Sequence, residues 1–214
     1  MTHLLQWAKA NLPAPGKDED TVFVHSLPEG GGLLVGVADG ISGANGQQAA
    51  RWIAQTMAEL ALDDEARLWD ARQLYEHFAD RLARAAKATT LADSHSTLSC
   101  GIARLVEGSM KPAFSFSFFG IGDSPIWRIV KPLSSQLEFQ ASVVYGPPVP
   151  SEIAGLYSWV NLGKGCVEGQ VHFGSVDLGL DELLVVSSDG VPESRVLMDD
   201  QDSETNRDSP RLMA

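Results

Sequence analysis

Cysteine is scarce. The two in 214 residues, Cys100 and Cys166, lie far apart and outside any Cys-x-x-Cys pair. Neither a disulfide scaffold nor a thiolate zinc site is expected, and both cysteines read as small buried apolar residues. Basic side chains are also few, 16 against 28 acidic, for a net charge of -12. That balance repels phosphate backbones and anionic lipid, so neither nucleic acid nor a membrane surface is expected as a partner. No segment approaches the roughly 20 uninterrupted apolar residues of a membrane helix. The start, Met1-Thr2-His3-Leu4-Leu5-Gln6-Trp7, lacks the charged-then-apolar order of a secretory signal. A cytoplasmic chain is the expectation. The five histidines, His3, His25, His77, His95 and His172, form no His-x-His or His-x-x-x-His pair, so each reads as structural or solvated.

What is present is ordinary globular usage, with 44% hydrophobic and 21% charged residues. The length fits one core, so residues 1–214 are read as a single domain whose polar end, 199–214, forms a loop or frayed tail. After the Pro13-Ala14-Pro15-Gly16 turn, Thr21 to Ser26 reads as a strand. Glu29-Gly30-Gly31-Gly32 then reads as a hairpin loop, because the β-branched run Leu33 to Val37 follows at once and stops at Asp39-Gly40. From Gln47 to Leu62 the apolar residues Ala50, Ile53, Met57 and Leu60 recur at steps of three and four, the period of one helix face. Ala71, Leu74, Tyr75, Phe78, Leu82 and Ala85 repeat that pattern after Asp63-Asp64, predicting a second helix.

Beyond Asp93 the texture changes to strands: Thr97–Leu105, Ala113–Phe119, Ile126–Val130, Leu137–Val144, Gln170–Phe173 and Leu183–Ser187. Phe114, Phe116 and Phe118 alternate with Ser115 and Ser117, so that strand buries one face. Two strands, two helices and then many strands is an α+β order, unsuited to a doubly wound parallel sheet.

Three segments share one design, an apolar strand ending in a small-residue turn that holds an Asp. They are Val35 to Gly40 around Asp39, Phe119 to Ser124 around Asp123, and Val185 to Gly190 around Asp189. A fourth acidic pair, Glu19-Asp20, immediately precedes the first strand. Hard divalent ions take oxygen ligands from carboxylates, carbonyls and water, which strand-end turns can bring to one sheet edge. Read singly, each Asp-Gly is a β-turn favoured for backbone reasons.

In combination and in order, these segments resemble the metal-dependent protein phosphatases of type 2C. The motifs read Asp18-Glu19-Asp20, Val37-Ala38-Asp39-Gly40-Ile41-Ser42-Gly43, Ser96-Thr97-Leu98, Gly122-Asp123-Ser124 and Ser188-Asp189-Gly190, spanning about Gly16 to Glu193. The resemblance implies a four-layer α-β-β-α sandwich of antiparallel sheets flanked by helices, with two or more Mn2+ or Mg2+ ions at one end. It implies that Asp39 bridges two ions, that Glu19 and the Gly40 carbonyl serve one and Asp189 the other. Asp20 would orient metal-activated water, and Asp123 would help hold a weaker additional ion. The implied enzyme is a phosphoric monoester hydrolase in cellular signalling, removing phosphate from phosphoserine and phosphothreonine. Its partner would be a phosphorylated protein, and the chain is expected to act as a monomer. The Gly146-Pro147-Pro148-Val149-Pro150 stretch falls where the family carries a variable substrate flap.

Two positions depart from the family pattern. Pro15 stands where many members carry a phosphate-binding Arg, leaving Lys17 as the substitute, a point charge without the bidentate contact. The family's late Asp-Asn-x-Thr motif has no match, although Asp199, Asp200, Asp202 and Asp208 follow Asp189. These departures keep open a second reading, a phosphatase-like regulatory or binding module with an incomplete metal site. Other classes fall on spacing. Asp39 and Asp189 lack the second Asp of a haloacid-dehalogenase-type site, Gly40-Ile41-Ser42-Gly43 is not a Gly-x-Ser-x-Gly elbow, and Gly120-x-Gly122 lacks the third glycine of a dinucleotide loop.

Overall fold

The computed structural model describes residues 6–10, 19–41, 45–86, 94–106, 113–130, 140–146, 158–179 and 181–188. The elements are β1 (Asp20–Ser26), β2 (Leu33–Asp39), α1 (Gly46–Ala61), α2 (Ala71–Ala85), β3 (His95–Ser96), β4 (Leu98–Leu105), β5 (Ala113–Ile121), β6 (Ile126–Val130), β7 (Gln140–Tyr145), β8 (Trp159–Asn161), β9 (Cys166–Glu168), β10 (His172–Gly179) and β11 (Glu182–Val186). The chain is thus α+β, and every strand pair among the described residues is antiparallel.

A five-stranded sheet in the order β1-β2-β4-β5-β10 forms the centre. Strand alternation divides its side chains between two cores. On one face Phe23, Leu34, Leu98, Cys100, Ile102, Phe119 and Ile121 meet the apolar stripe of α1, Ala49, Ala50, Ile53, Met57 and Leu60, and the stripe of α2, Leu74, Phe78 and Leu82. On the other, Ala103, Phe116, Phe118 and Leu178 meet Ile126, Tyr145, Leu184 and Val186 of a three-stranded sheet ordered β11-β6-β7. The Phe and Ser alternation of β5 therefore orients that strand as expected. Its serines turn toward the helices, where Ser117 Oγ accepts a 3.0 Å bond from the first amide of α2. The same helix is closed by a capping box, Asp70 accepting from the Gln73 amide and the Gln73 side chain accepting from the Asp70 amide. A third small sheet, β3-β8-β9, adds Val160 to the helix-side core, and Leu162, just past the end of β8, joins it there.

Helix, sheet and sheet account for three of the four expected layers, and a second helical layer has no counterpart among the described residues. Three expectations are corrected. Cys100 is buried, but Cys166 is exposed, because in the three-residue β9 it is Val167 that turns to the core. The strand expected over Gln170–Phe173 starts at His172 and runs on to Gly179. Strands β3, β8 and β9 are additions, each two or three residues long. Of Leu137–Val144, the strand begins at Gln140, and residues 137–139 lie outside the described residues, as do Pro147–Pro150 and the tail 199–214.

Candidate functional site

The antiparallel order brings the acidic strand ends to one end of the sandwich. Strand β1 begins at Asp20 where β2 ends at Asp39, and the two residues are register partners. Opposite partners of an antiparallel pair share a face, with Cβ atoms about 4.5–5.5 Å apart. That face is the one toward the second sheet, because Val35, two pairs of residues back from Asp39, packs in the core between the sheets. Glu19 adjoins the pair, its carbonyl accepting a 3.2 Å bond from the Gly40 amide. β4 begins and β5 ends at this same end, paired Leu98 to Ile121, so Asp123 emerges here too. In the second sheet, β6 begins and β11 ends here, paired Ile126 to Val186, and the Ser187 amide donates to the Pro125 carbonyl at 3.1 Å. The chain entering Asp189 therefore leaves from the same end, while Asp189 and Lys17 themselves lie outside the described residues.

The turn after Asp39 is tightly built. A side chain on Gly40 would bring its Cβ within 2.3 Å of the Gly46 backbone, and one on Gly46 within 2.4 Å of Gly40. Two glycines thus let the first turn of α1 close onto the strand end. Across the sheet, the Asp39 carbonyl accepts from the Thr97 amide and from Ser96 Oγ, each at 2.8 Å, and the Ile41 amide donates to the His95 carbonyl at 3.0 Å. The Asp123 turn is held at its other end by Tyr145, whose hydroxyl donates to the Gly122 carbonyl at 2.7 Å. Burial, and then the nearby Asp123 carboxylate, push the Tyr145 hydroxyl well above the ordinary tyrosine pKa, which keeps it a donor. Gly122 takes a φ of 95°, the left-handed region in which glycine carries no penalty.

The structure brings Glu19, Asp20, Asp39 and Gly40 together at one strand end, and Asp123 lies past the end of β5 at the same end of the sheet. Asp39 ends β2 and Asp123 follows β5, with β4 between, so the strands leading to them are two sheet spacings of about 4.8 Å apart. Among the described residues no three His, Cys, Asp or Glu side chains group closely enough to hold a metal ion. The donor set nonetheless suits a hard cation: carboxylates from opposite strand positions with an acidic neighbour, and no sulfur or imidazole among the acidic strand ends. Sequence reasoning marked Ser96-Thr97-Leu98 and Ser124 as parts of motifs without giving them a task. It missed Tyr145, whose signal was its position at the close of an apolar strand, just before a glycine.

The class so defined is an α+β sandwich with helices on one sheet and acidic turns at one end. No family model and no curated protein sequence matches the chain. Among solved structures it is similar to the S. agalactiae serine/threonine phosphatase, with a TM-score of 0.57 and 14% identity over 83% of this chain and 76% of that one. A likeness at that identity is one of fold. No helix among the described residues is long and apolar enough to cross a membrane.

Proposed function

We propose that the protein is a metal-dependent serine/threonine protein phosphatase that hydrolyses phosphoserine and phosphothreonine esters of a phosphorylated protein. The observation that carries this reading is that the Glu19-Asp20, Asp39-Gly40 and Asp123 strand ends, with the Ser187 lead into Asp189, all lie at one end of a sandwich similar in fold to a serine/threonine phosphatase. In this reading the fold is the full four-layer sandwich, and the protein works as a cytoplasmic monomer. Glu19, Asp39, the Gly40 carbonyl and Asp189 would hold Mn2+ or Mg2+, with Asp123 serving a further ion. Bound there, two such cations would lower the pKa of water and neutralise the phosphoryl oxygens during in-line attack. Asp20, opposite Asp39, orients the attacking water by accepting its hydrogen bond, and Lys17 contributes a point charge toward the phosphate. Phosphate release from a phosphothreonine peptide in Mn2+, abolished by chelator and by Asp39→Asn, is the expected result. Release that survives both would overturn the mechanism.

One observation favours the second reading, a binding module that has lost full metal affinity: no three candidate ligands group among the described residues. Titration with Mn2+ separates the two readings. Metal uptake without ester hydrolysis would support the module, and uptake with hydrolysis would support the enzyme.

A further inference from the structure

Between the two acidic turns lie buried hydroxyls with a shared purpose. Thr97 is 3% exposed, and Ser99 and Ser124 are fully enclosed. Enclosed hydroxyls are costly unless hydrogen-bonded, and these are bonded to one another and to the turns. Thr97 is the crossing point. Its amide donates to the Asp39 carbonyl at 2.8 Å, and its Oγ1 shares a 2.7 Å bond with Ser124 Oγ, next in sequence to Asp123. The Ser124 carbonyl in turn accepts from Ser99 Oγ at 2.6 Å. Thr97 also packs on the Asp123 turn, since a Cβ on Gly122 would stand 2.7 Å from its methyl group.

The ladder explains why such a link is needed. Strand β4 keeps pairing with the β2 side through Thr97, but its pairing with β5 ends at Leu98 and Ile121. Beyond that point the Asp123 turn is tied to the Asp39 turn by side chains. We infer that Thr97 and Ser124 form a hydroxyl clasp, a pair of positioning residues that fixes the Asp39 and Asp123 turns as one unit and so sets the cation affinity of both. The consequence for cations rests on the phosphatase reading of these turns, whereas the mechanical link does not. Neither hydroxyl is assigned to the reacting atoms.

The test uses the full chain with Thr97→Val, Thr97→Ser, Ser124→Ala and the double variant Thr97→Val with Ser124→Ala. Amide hydrogen exchange at Gly40 and Ile41 is followed without metal, and Mn2+ affinity is measured by calorimetry. Ser124→Ala should speed exchange at Gly40 and Ile41, on the far side of β4, an effect that local loosening around Ser124 would not produce. Thr97→Val should weaken Mn2+ binding about tenfold, the usual scale for losing a partner that orients metal ligands. Thr97→Ser, which keeps the hydroxyl, should bind as the wild type does, and the double variant should be no worse than either single one. Wild-type exchange at Gly40 and Ile41 in Ser124→Ala, or additive losses in the double variant, would overturn the clasp. If the wild type takes up no Mn2+, the phosphatase reading fails and the exchange result alone decides the clasp.

Discussion

Asp20 and Asp39 stand directly opposite each other across the first hairpin, as the last register pair of β1 and β2. Like charges at opposite positions of an antiparallel pair are destabilising by roughly 0.2–1 kcal/mol. In the proposed phosphatase reading this pair lies beside the cations, so their binding would add to the stability of the folded state.

The first prediction follows from that coupling. A ligand that binds only the folded state stabilises it by about 2.7 kcal/mol when present at 100 times its dissociation constant. Saturating Mn2+ should therefore raise the unfolding midpoint of the wild type in urea, and Asp39→Asn should lose most of that rise. An equal rise in both proteins would remove Asp39 from the site.

Gly46 supplies a prediction in which two effects oppose. Alanine in place of glycine commonly favours a helix by up to about 1 kcal/mol. Here the added Cβ would lie 2.4 Å from the Gly40 carbonyl carbon and 2.6 Å from the Ile41 backbone. Backbone cannot rotate out of the way, so the turn itself must move. Gly46→Ala should destabilise the protein by about 1–3 kcal/mol, the usual range for overpacking. It should also weaken Mn2+ binding through displacement of Gly40. Urea unfolding measures the first effect, and a gain in stability would show that the turn yields freely.

Tyr145 gives a prediction in pH. Its hydroxyl titrates above the unfolded value because of burial and then the Asp123 charge. A group whose folded pKa is raised contributes stability that is complete below its unfolded pKa, about 10 for tyrosine, and lost as pH rises beyond it. The wild type should lose stability above that pH more steeply than Tyr145→Phe, the difference isolating this residue from Tyr75, whose pKa is also raised. Parallel stability curves for the two proteins would refute the assignment. At neutral pH the variant forfeits the bond to the Gly122 carbonyl, about 1 kcal/mol in a typical case.

Much of this architecture was legible because its signals were long. Ala50, Ile53, Met57 and Leu60 repeat over about three turns of α1, and the three glycines at 30–32 lie between β1 and β2 as expected of a hairpin. Strands β8 and β9 were not legible, because three residues are too few for a period to show. Strand β10 was read short. Gly174 occupies the position where the Phe118 ring fills the space of a side chain, so its place in the inward set with Val176 and Leu178 carried no apolar mark. Within the site, the acidic turns were visible as local motifs. The pairing of Asp20 with Asp39, and the reach of Thr97 to Ser124 over 27 positions, depend on register between distant strands, which no local pattern encodes.

The last prediction concerns the ligand that the described acidic pair lacks. In the proposed site Glu19 and Asp39 would supply carboxylates from one edge, and on the second sheet β11 also ends at this end of the sandwich. There the Ser187 amide is fixed to the Pro125 carbonyl, and the Trp127 indole N–H donates to Ser187 Oγ at 3.3 Å, so the chain is anchored two residues before Asp189. An anchored approach lowers the cost of ordering that carboxylate around a cation, whereas Asp199 and Asp200 would have to be carried back over ten and more residues of chain. Charge count sets the affinity of such sites, so removing the anchored ligand should matter more. Asp189→Asn should abolish one class of Mn2+ site in calorimetry, and replacing Asp199 and Asp200 together by Asn should leave that class in place. The reverse pattern would make the tail the source of the missing ligand, and no effect from either change would leave the cation to the Glu19 and Asp39 edge alone.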